Sequence, residues 1–103
     1  MSKFIGIDIG GTGTRLVVAD EKYEVHQEFK ITTSSFSASS PVESVSLLAE
    51  WISKNVVDLE SIATIGIGST GPVNLVTGVI DNPDTLPQFS GIDLGGQLSK
   101  LLN

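Results

Sequence analysis

Phe4-Ile5-Gly6-Ile7-Asp8-Ile9-Gly10-Gly11-Thr12-Gly13-Thr14-Arg15-Leu16-Val17-Val18-Ala19-Asp20 is the stretch on which the fold of this chain turns. Lys3 to Asp8 is an apolar run that reads as a strand and carries Asp8 to its end. Gly10 to Thr14 is a turn of small residues, and Arg15 to Ala19 reads as a returning strand. A turn of this kind gathers backbone N–H groups into a concavity that suits phosphate oxygens. Its glycines permit positive φ and close approach of a ligand to the backbone. Asp8 supplies a hard carboxylate oxygen of the type Mg²⁺ takes, commonly through water. The candidate nucleotide-binding residues are therefore Asp8, Gly10, Gly11, Thr12, Gly13, Thr14 and Arg15, with Asp8 also the metal candidate. Other uses of the same residues are a turn-capping carboxylate at Asp8, a plain tight hairpin at Gly10–Thr14, and a carboxylate partner for Arg15. A plain hairpin closes with a two-residue loop, so the longer small-residue run favours the phosphate reading.

Two other phosphate motifs are excluded by what surrounds them. A P-loop needs Gly-Lys-Ser/Thr leading into a helix, and the chain has no such run. Gly66-Ile67-Gly68-Ser69-Thr70-Gly71 matches G-x-G-x-x-G, but that fingerprint opens a helix. Here Pro72, Val73, Asn74 and Gly78 follow, which predicts turn and extended chain instead.

The strand–turn–strand unit resembles the first phosphate motif of the sugar kinase, actin and Hsp70 superfamily. Ile65-Gly66-Ile67-Gly68-Ser69-Thr70-Gly71-Pro72-Val73-Asn74 with Gly78-Val79-Ile80, and Thr85-Leu86-Pro87-Gln88-Phe89 with Leu94 and Leu98, narrow the resemblance to the ROK family of sugar kinases and sugar-responsive repressors. The resemblance implies an α/β, RNase-H-like (actin-like ATPase) lobe of βββαβ order with a mixed sheet and a helical crossover, incomplete at its C-terminus. Residues 1–103 would form one N-terminal nucleotide-binding lobe of a ROK-type kinase. The implied activity is transfer of the γ-phosphoryl of ATP, with Mg²⁺, to a hydroxyl of a hexose or amino sugar. The general base, an Asp within an Asn-Asp-Ala-Asn segment, is expected beyond Asn103, so this chain alone is expected to be inactive and to hold no catalytic residue. The alternative is a non-catalytic sugar sensor of the regulator branch. A third class, a filament-forming actin-like protein, is disfavoured by the Thr70–Val73 and Thr85–Pro87 stretches.

Substrate contacts implied by the family fall on Gly71, at the carboxyl end of a parallel strand where open-sheet ligands gather, and on Asp84 and Thr85. Thr85 stands where family kinases usually carry Asn. One hydroxyl cannot reproduce the separate donor and acceptor of an amide, and Asp84 or Asn82 are the neighbours that could compensate.

Composition sets the remaining bounds. The chain has 103 residues, 40% of them hydrophobic, and a net charge of −6 without a basic cluster. That length corresponds to one small domain burying roughly 60–70% of its unfolded surface. The acidic balance argues against nucleic-acid and polybasic membrane binding. The absence of cysteine removes disulfides and thiolate metal sites and fits a cytoplasmic protein. No leader or membrane-length apolar run is apparent. The partners expected are a small sugar and a nucleotide, with dimerisation usual in the family.

Beyond the second strand, Asp20-Glu21-Lys22 predicts a turn and Glu24 to Ile31 a third strand, with Val25, Gln27 and Phe29 on one face. The first two strands, nearly continuous apolar runs, are expected to be buried on both faces. Residues 32–40 read as a polar loop. Ser40-Pro41-Val42-Glu43 opens a helix with a Ser cap, Pro at its first position and Glu at its third. Val42, Val45, Leu48, Ala49, Ile52 and Val56 mark its inward face, with Trp51 at the border. Ile62 to Gly68 is the fourth strand, parallel to the first, and Gly95 to Leu102 a second helix with Asp93 at its start. His26, Asp58 and Glu60 receive no role.

Overall fold

The structure is a computed structural model that describes residues 3–102. Strands β1 (Lys3–Ile9), β2 (Gly13–Asp20), β3 (Val25–Thr32) and β4 (Ile62–Ser69) form one sheet in the order β3-β2-β1-β4. β1 pairs antiparallel with β2 and parallel with β4, so the sheet is mixed as expected. Between β3 and β4 lies helix α1 (Pro41–Asn55), and helix α2 (Leu94–Leu102) follows β4 after a long irregular stretch. No helix among the described residues is long and apolar enough to cross a membrane.

Strand alternation places Ile5, Ile7 and Ile9 of β1 and Leu16 and Val18 of β2 on one face. The stripe of α1 (Val45, Leu48, Ala49, Ile52) covers that face, and Leu94 and Leu98 of α2 join the same core. The expected burial of β1 and β2 on both faces is corrected. Both helices serve the same core cluster, and Asp8 and Arg15 on the opposite face are exposed while Gly6 and Val17 are half-buried.

α1 begins as its sequence requires. The Ser40 hydroxyl accepts from the Glu43 amide at 3.3 Å, and Pro41 occupies the first turn, where a missing N–H costs nothing. The reciprocal half of a capping box does not form, because the Glu43 carboxylate accepts from the Ser39 hydroxyl. Val42 departs from the expected inward stripe and is exposed; Ser44 takes a buried place on that face. Residues 32–40 are not all loop: Thr33–Phe36 form a 3₁₀ turn that buries Thr33 and Phe36. Phe36 meets Trp51 edge-on at 5.7 Å between ring centres, which seats Trp51 in a structural role.

At the β2–β3 turn Tyr23 has φ 64°, a left-handed conformation unusual for a bulky residue. Asp20 supports it. Its buried carboxylate accepts from the Lys22 amide (2.8 Å), the Glu24 amide (3.1 Å) and His26 Nε2 (2.7 Å). A register shift between Val18 and Ala19 follows, so Val25 points to solvent instead of joining Gln27 and Phe29.

Candidate functional site

The turn between β1 and β2 is closed by the Gly10 amide donating to Gly13 O at 2.9 Å. No glycine of this turn adopts positive φ; that conformation occurs at Gly71, Gly78 and Gly91. The expectation that left-handed backbone shapes the turn is therefore corrected. What its glycines supply is room. A Cβ at Gly10 would sit 3.2 Å from Gly13 O, and one at Gly11 would sit 3.3 Å from Thr85 O. The turn rests on β3's exit: Thr33 N donates to Thr12 O (2.9 Å), and the Thr33 hydroxyl donates to Gly10 O (2.7 Å). Among the described residues the Gly11 and Thr12 amides meet no protein acceptor, and both residues are exposed. These two N–H groups are what the turn offers an anion.

The side chains divide by strand parity. Asp8 lies on the outer face, exposed, and among the described residues it makes no hydrogen bond or ion pair. Thr14 faces inward, 1% exposed, with its hydroxyl 2.9 Å from that of Thr33. As a side-chain phosphate ligand Thr14 is corrected, because its hydroxyl is spent in the interior; Thr12 keeps an exposed one. Arg15 stands directly across from Asp8 in the ladder, yet its guanidinium pairs with Glu28 of β3. The carboxylate alternative for Arg15 is thus the one realised in this structure. Asp8 and Arg15 line a trough of about 580 Å³ on the outer face, floored by Gly6, Gly66 and Gly68.

No group of metal-ligating side chains occurs among the described residues. A lone exposed carboxylate at a strand end still suits Mg²⁺, which keeps several waters and takes one or two carboxylates plus substrate phosphates. Asp8 fits that demand.

The second candidate cluster lies beside the first. β4 ends at Ser69, and Thr70 N donates to Ile9 O at 3.0 Å, tying the exit of β4 to the end of β1. Irregular chain, not a helix, leads directly out of β4, so the G-x-G-x-x-G match has no helix to open. Gly71 is exposed with φ 83°, and a Cβ there would strike the Asn82 side chain at 2.2 Å. Asn82 is buried; its Nδ2 donates to Thr70 O (3.1 Å) and to the Thr85 hydroxyl (2.6 Å), while its Oδ1 accepts from the Thr85 amide (3.2 Å). Asn82 cannot therefore stand in for the amide that Thr85 lacks. Asp84 and Thr85 are exposed beside it. Asn82 was legible only as a neighbour; the signal that marks it is an Asn three residues before Thr85, the separation at which an Asn side chain caps the amide of a following turn.

Comparison with known proteins follows the same lines. A sequence model of the ROK family matches residues 4–103. The chain is 36% identical over 88 residues to a glucokinase of Pyrobaculum calidifontis, covering 84% of this chain and 25% of that protein. It is 32% identical over 108 residues to a fructokinase of Lactococcus lactis subsp. cremoris, covering 100% of this chain and 34% of that one. Among solved structures, a ROK family glucokinase from Streptomyces griseus in complex with glucose and AMPPNP superposes with a TM-score of 0.70 at 20% identity, over 96% of this chain and 30% of its own. An inorganic polyphosphate/ATP-glucomannokinase from Arthrobacter sp. strain KM gives 0.70 at 22% identity, over 99% and 41%. The chain thus spans a quarter to a third of the curated relatives it matches, and its mixed α/β fold is that of part of these solved structures. The chain belongs to the ROK family.

Proposed function

We propose that this chain is the nucleotide-phosphate lobe of an ATP-dependent sugar kinase that transfers the γ-phosphoryl of ATP to a hydroxyl of a hexose or amino sugar. The observation that carries this reading is the juxtaposition of an unpaired Asp8 with the two uncommitted amides of Gly11 and Thr12 at one sheet end. The names of the relatives, a glucokinase and a fructokinase, support the same reaction class.

Phosphoryl transfer asks a protein mainly to position and to neutralise charge. In this lobe the Gly11 and Thr12 amides would hold phosphate oxygens, and Thr12 would add its hydroxyl. Asp8 would hold Mg²⁺ through water; the metal, when bound, shields the phosphate charge. Arg15 lies beside Asp8 on the outer face with its charge offset by Glu28, and would add positive potential for a phosphate only on leaving that pair. Thr85, Asp84 and the Gly71 backbone would face the sugar, with Thr85 and Asp84 choosing among its hydroxyls. The hydroxyl proton must leave to a base outside residues 1–103.

The test is sugar-dependent ADP release, measured for the chain alone and joined to the rest of its parent protein. The expected result is turnover by the joined protein, lost on Asp8→Ala, and none by the 103 residues alone. Sugar-dependent turnover by the isolated chain above an Asp8→Ala control would contradict the assignment of the proton-accepting base. Absence of any sugar-dependent turnover by the joined protein would favour the sugar-sensing alternative.

A further inference from the structure

We propose that Asn82 is a positioning residue that fixes the Thr85 hydroxyl as a hydrogen-bond donor and locks the sugar-facing loop to the phosphate turn. The part of this concerning sugar rests on the kinase reading above. The locking is a matter of geometry in the free chain.

Four contacts close a ring. Ile9 O, at the start of the phosphate turn, accepts from Thr70 N at 3.0 Å. Thr70 O accepts from Asn82 Nδ2 at 3.1 Å, and the second Nδ2 hydrogen goes to Thr85 Oγ1 at 2.6 Å. Thr85 then returns to the turn, its carbonyl oxygen so near Gly11 that a Cβ there would lie 3.3 Å away. The remaining groups of Asn82 are also engaged: Oδ1 by Thr85 N, the backbone oxygen by Leu86 N, and the backbone amide by Ser90 Oγ. Gly71 makes space for the carboxamide, which would otherwise collide with a side chain. A buried amide with both donors and its acceptor satisfied defines one orientation, since a flipped amide would set its oxygen against Thr70 O.

The chemical consequence falls on Thr85. Its oxygen accepts from Asn82, so its own hydrogen is directed elsewhere, and Thr85 is exposed. The hydroxyl therefore offers its hydrogen outward and keeps one lone pair, so a sugar oxygen docking there meets a donor of fixed direction. Aspartate at position 82 has the same shape but no N–H groups; it would repel Thr70 O and draw the Thr85 hydrogen inward.

The test is ¹⁵N-correlated NMR of the 103-residue chain as wild type, N82D, T85V and T85S, free and titrated with glucose and fructose. In the free chain, N82D should move the amides of Thr70, Gly71 and Gly11 while Leu48 and Ile52 in α1 stay unmoved. T85V should shift the Asn82 side-chain NH₂ pair. With hexose, N82D and T85V should each weaken binding about three- to tenfold, the loss of one hydrogen bond, and T85S should restore it. Shifts in N82D confined to residues 81–86, or hexose affinity equal in wild type, N82D and T85V, would overturn the proposal. If N82D fails to fold, T85V decides from the other end of the same bond, and unmoved Asn82 NH₂ signals would refute it. Should the wild type bind neither hexose, the sugar-directed part of the proposal fails for this chain, the kinase reading stays with the joined protein, and the free-chain shifts still decide for or against the ring.

Discussion

Thr12 and Thr14 sit two residues apart in one small-residue turn and serve opposite sides of it. Thr14 belongs to a strand and its parity sends it inward to Thr33; Thr12 lies at the tip and stays in water. A list of small polar residues cannot separate them, but strand alternation counted back from Leu16 can. Asp8 is separated from the core by the same rule, so Asp8→Ala should leave thermal stability within about 0.5 kcal/mol of wild type, as for a surface substitution. It should abolish Mg²⁺-dependent ADP binding, and calorimetry of binding and unfolding on one sample checks both. Asp20 behaves in the opposite manner. The hydrogen bond from His26, aided by the Glu24 and Lys22 amides, holds its carboxyl below the usual carboxylate range against the opposing effect of burial. A depressed folded pKa means stability that is present above the unfolded value of about 3.9 and lost as pH falls through the folded one. Asp20→Asn should therefore lower stability at pH 7 and flatten the acid limb of a stability–pH curve below about pH 4. Denaturant unfolding at stepped pH would show this, and an unchanged acid limb would count against it.

Among the elements, those with local signals were readable and those fixed by tertiary contacts were not. α1 announced its start through Ser40 and Pro41, and its observed range begins at Pro41. Ser40→Ala should cost about 0.5–2 kcal/mol, measured by urea unfolding, because one Glu43 amide loses its acceptor. Leu48, fully buried at the centre of the helix face, should cost about 2–5 kcal/mol on truncation to Ala. The 3₁₀ turn at Thr33–Phe36 was hidden by its serines. Its reason for existing is Phe36, which packs on Trp51 and Phe89, and those partners lie far along the chain. Val25 misled because a register shift in β2–β3 turned it outward, and a strand's alternation holds no record of a bulge. Of the candidate site, the Gly10–Thr14 turn was legible as a turn in a contiguous run of residues. The Asn82 ring was not, since it joins positions 9, 11, 70, 82 and 85, which only the fold brings together.

For the molecule as a whole, one core unites the sheet, both helices and the irregular 80–92 stretch. Ile80, Leu86, Phe89 and Ile92 are buried in the same cluster as Ile5 and Ile7. The loop that carries Asp84 and Thr85 is therefore expected to unfold with the sheet. Far-UV circular dichroism and the fluorescence of the single Trp51 should report coincident thermal transitions, and a separate earlier transition would show that this stretch docks weakly. The two site clusters meet at one end of the sheet because β1 and β4 run parallel and end together, at Ile9 and Ser69. That meeting point sets Asp84 and Thr85 at the same sheet end as Asp8 and the Gly11 and Thr12 amides, on which the proposed phosphate-transfer reading rests. The most direct test is titration of the ¹⁵N-labelled chain with Mg²⁺-ADP. The account predicts saturable shifts at the Gly11 and Thr12 amides and at Asp8, absent in Asp8→Ala, with α1 unmoved. A folded spectrum in which those three signals stay fixed, or in which shifts gather elsewhere, would contradict it.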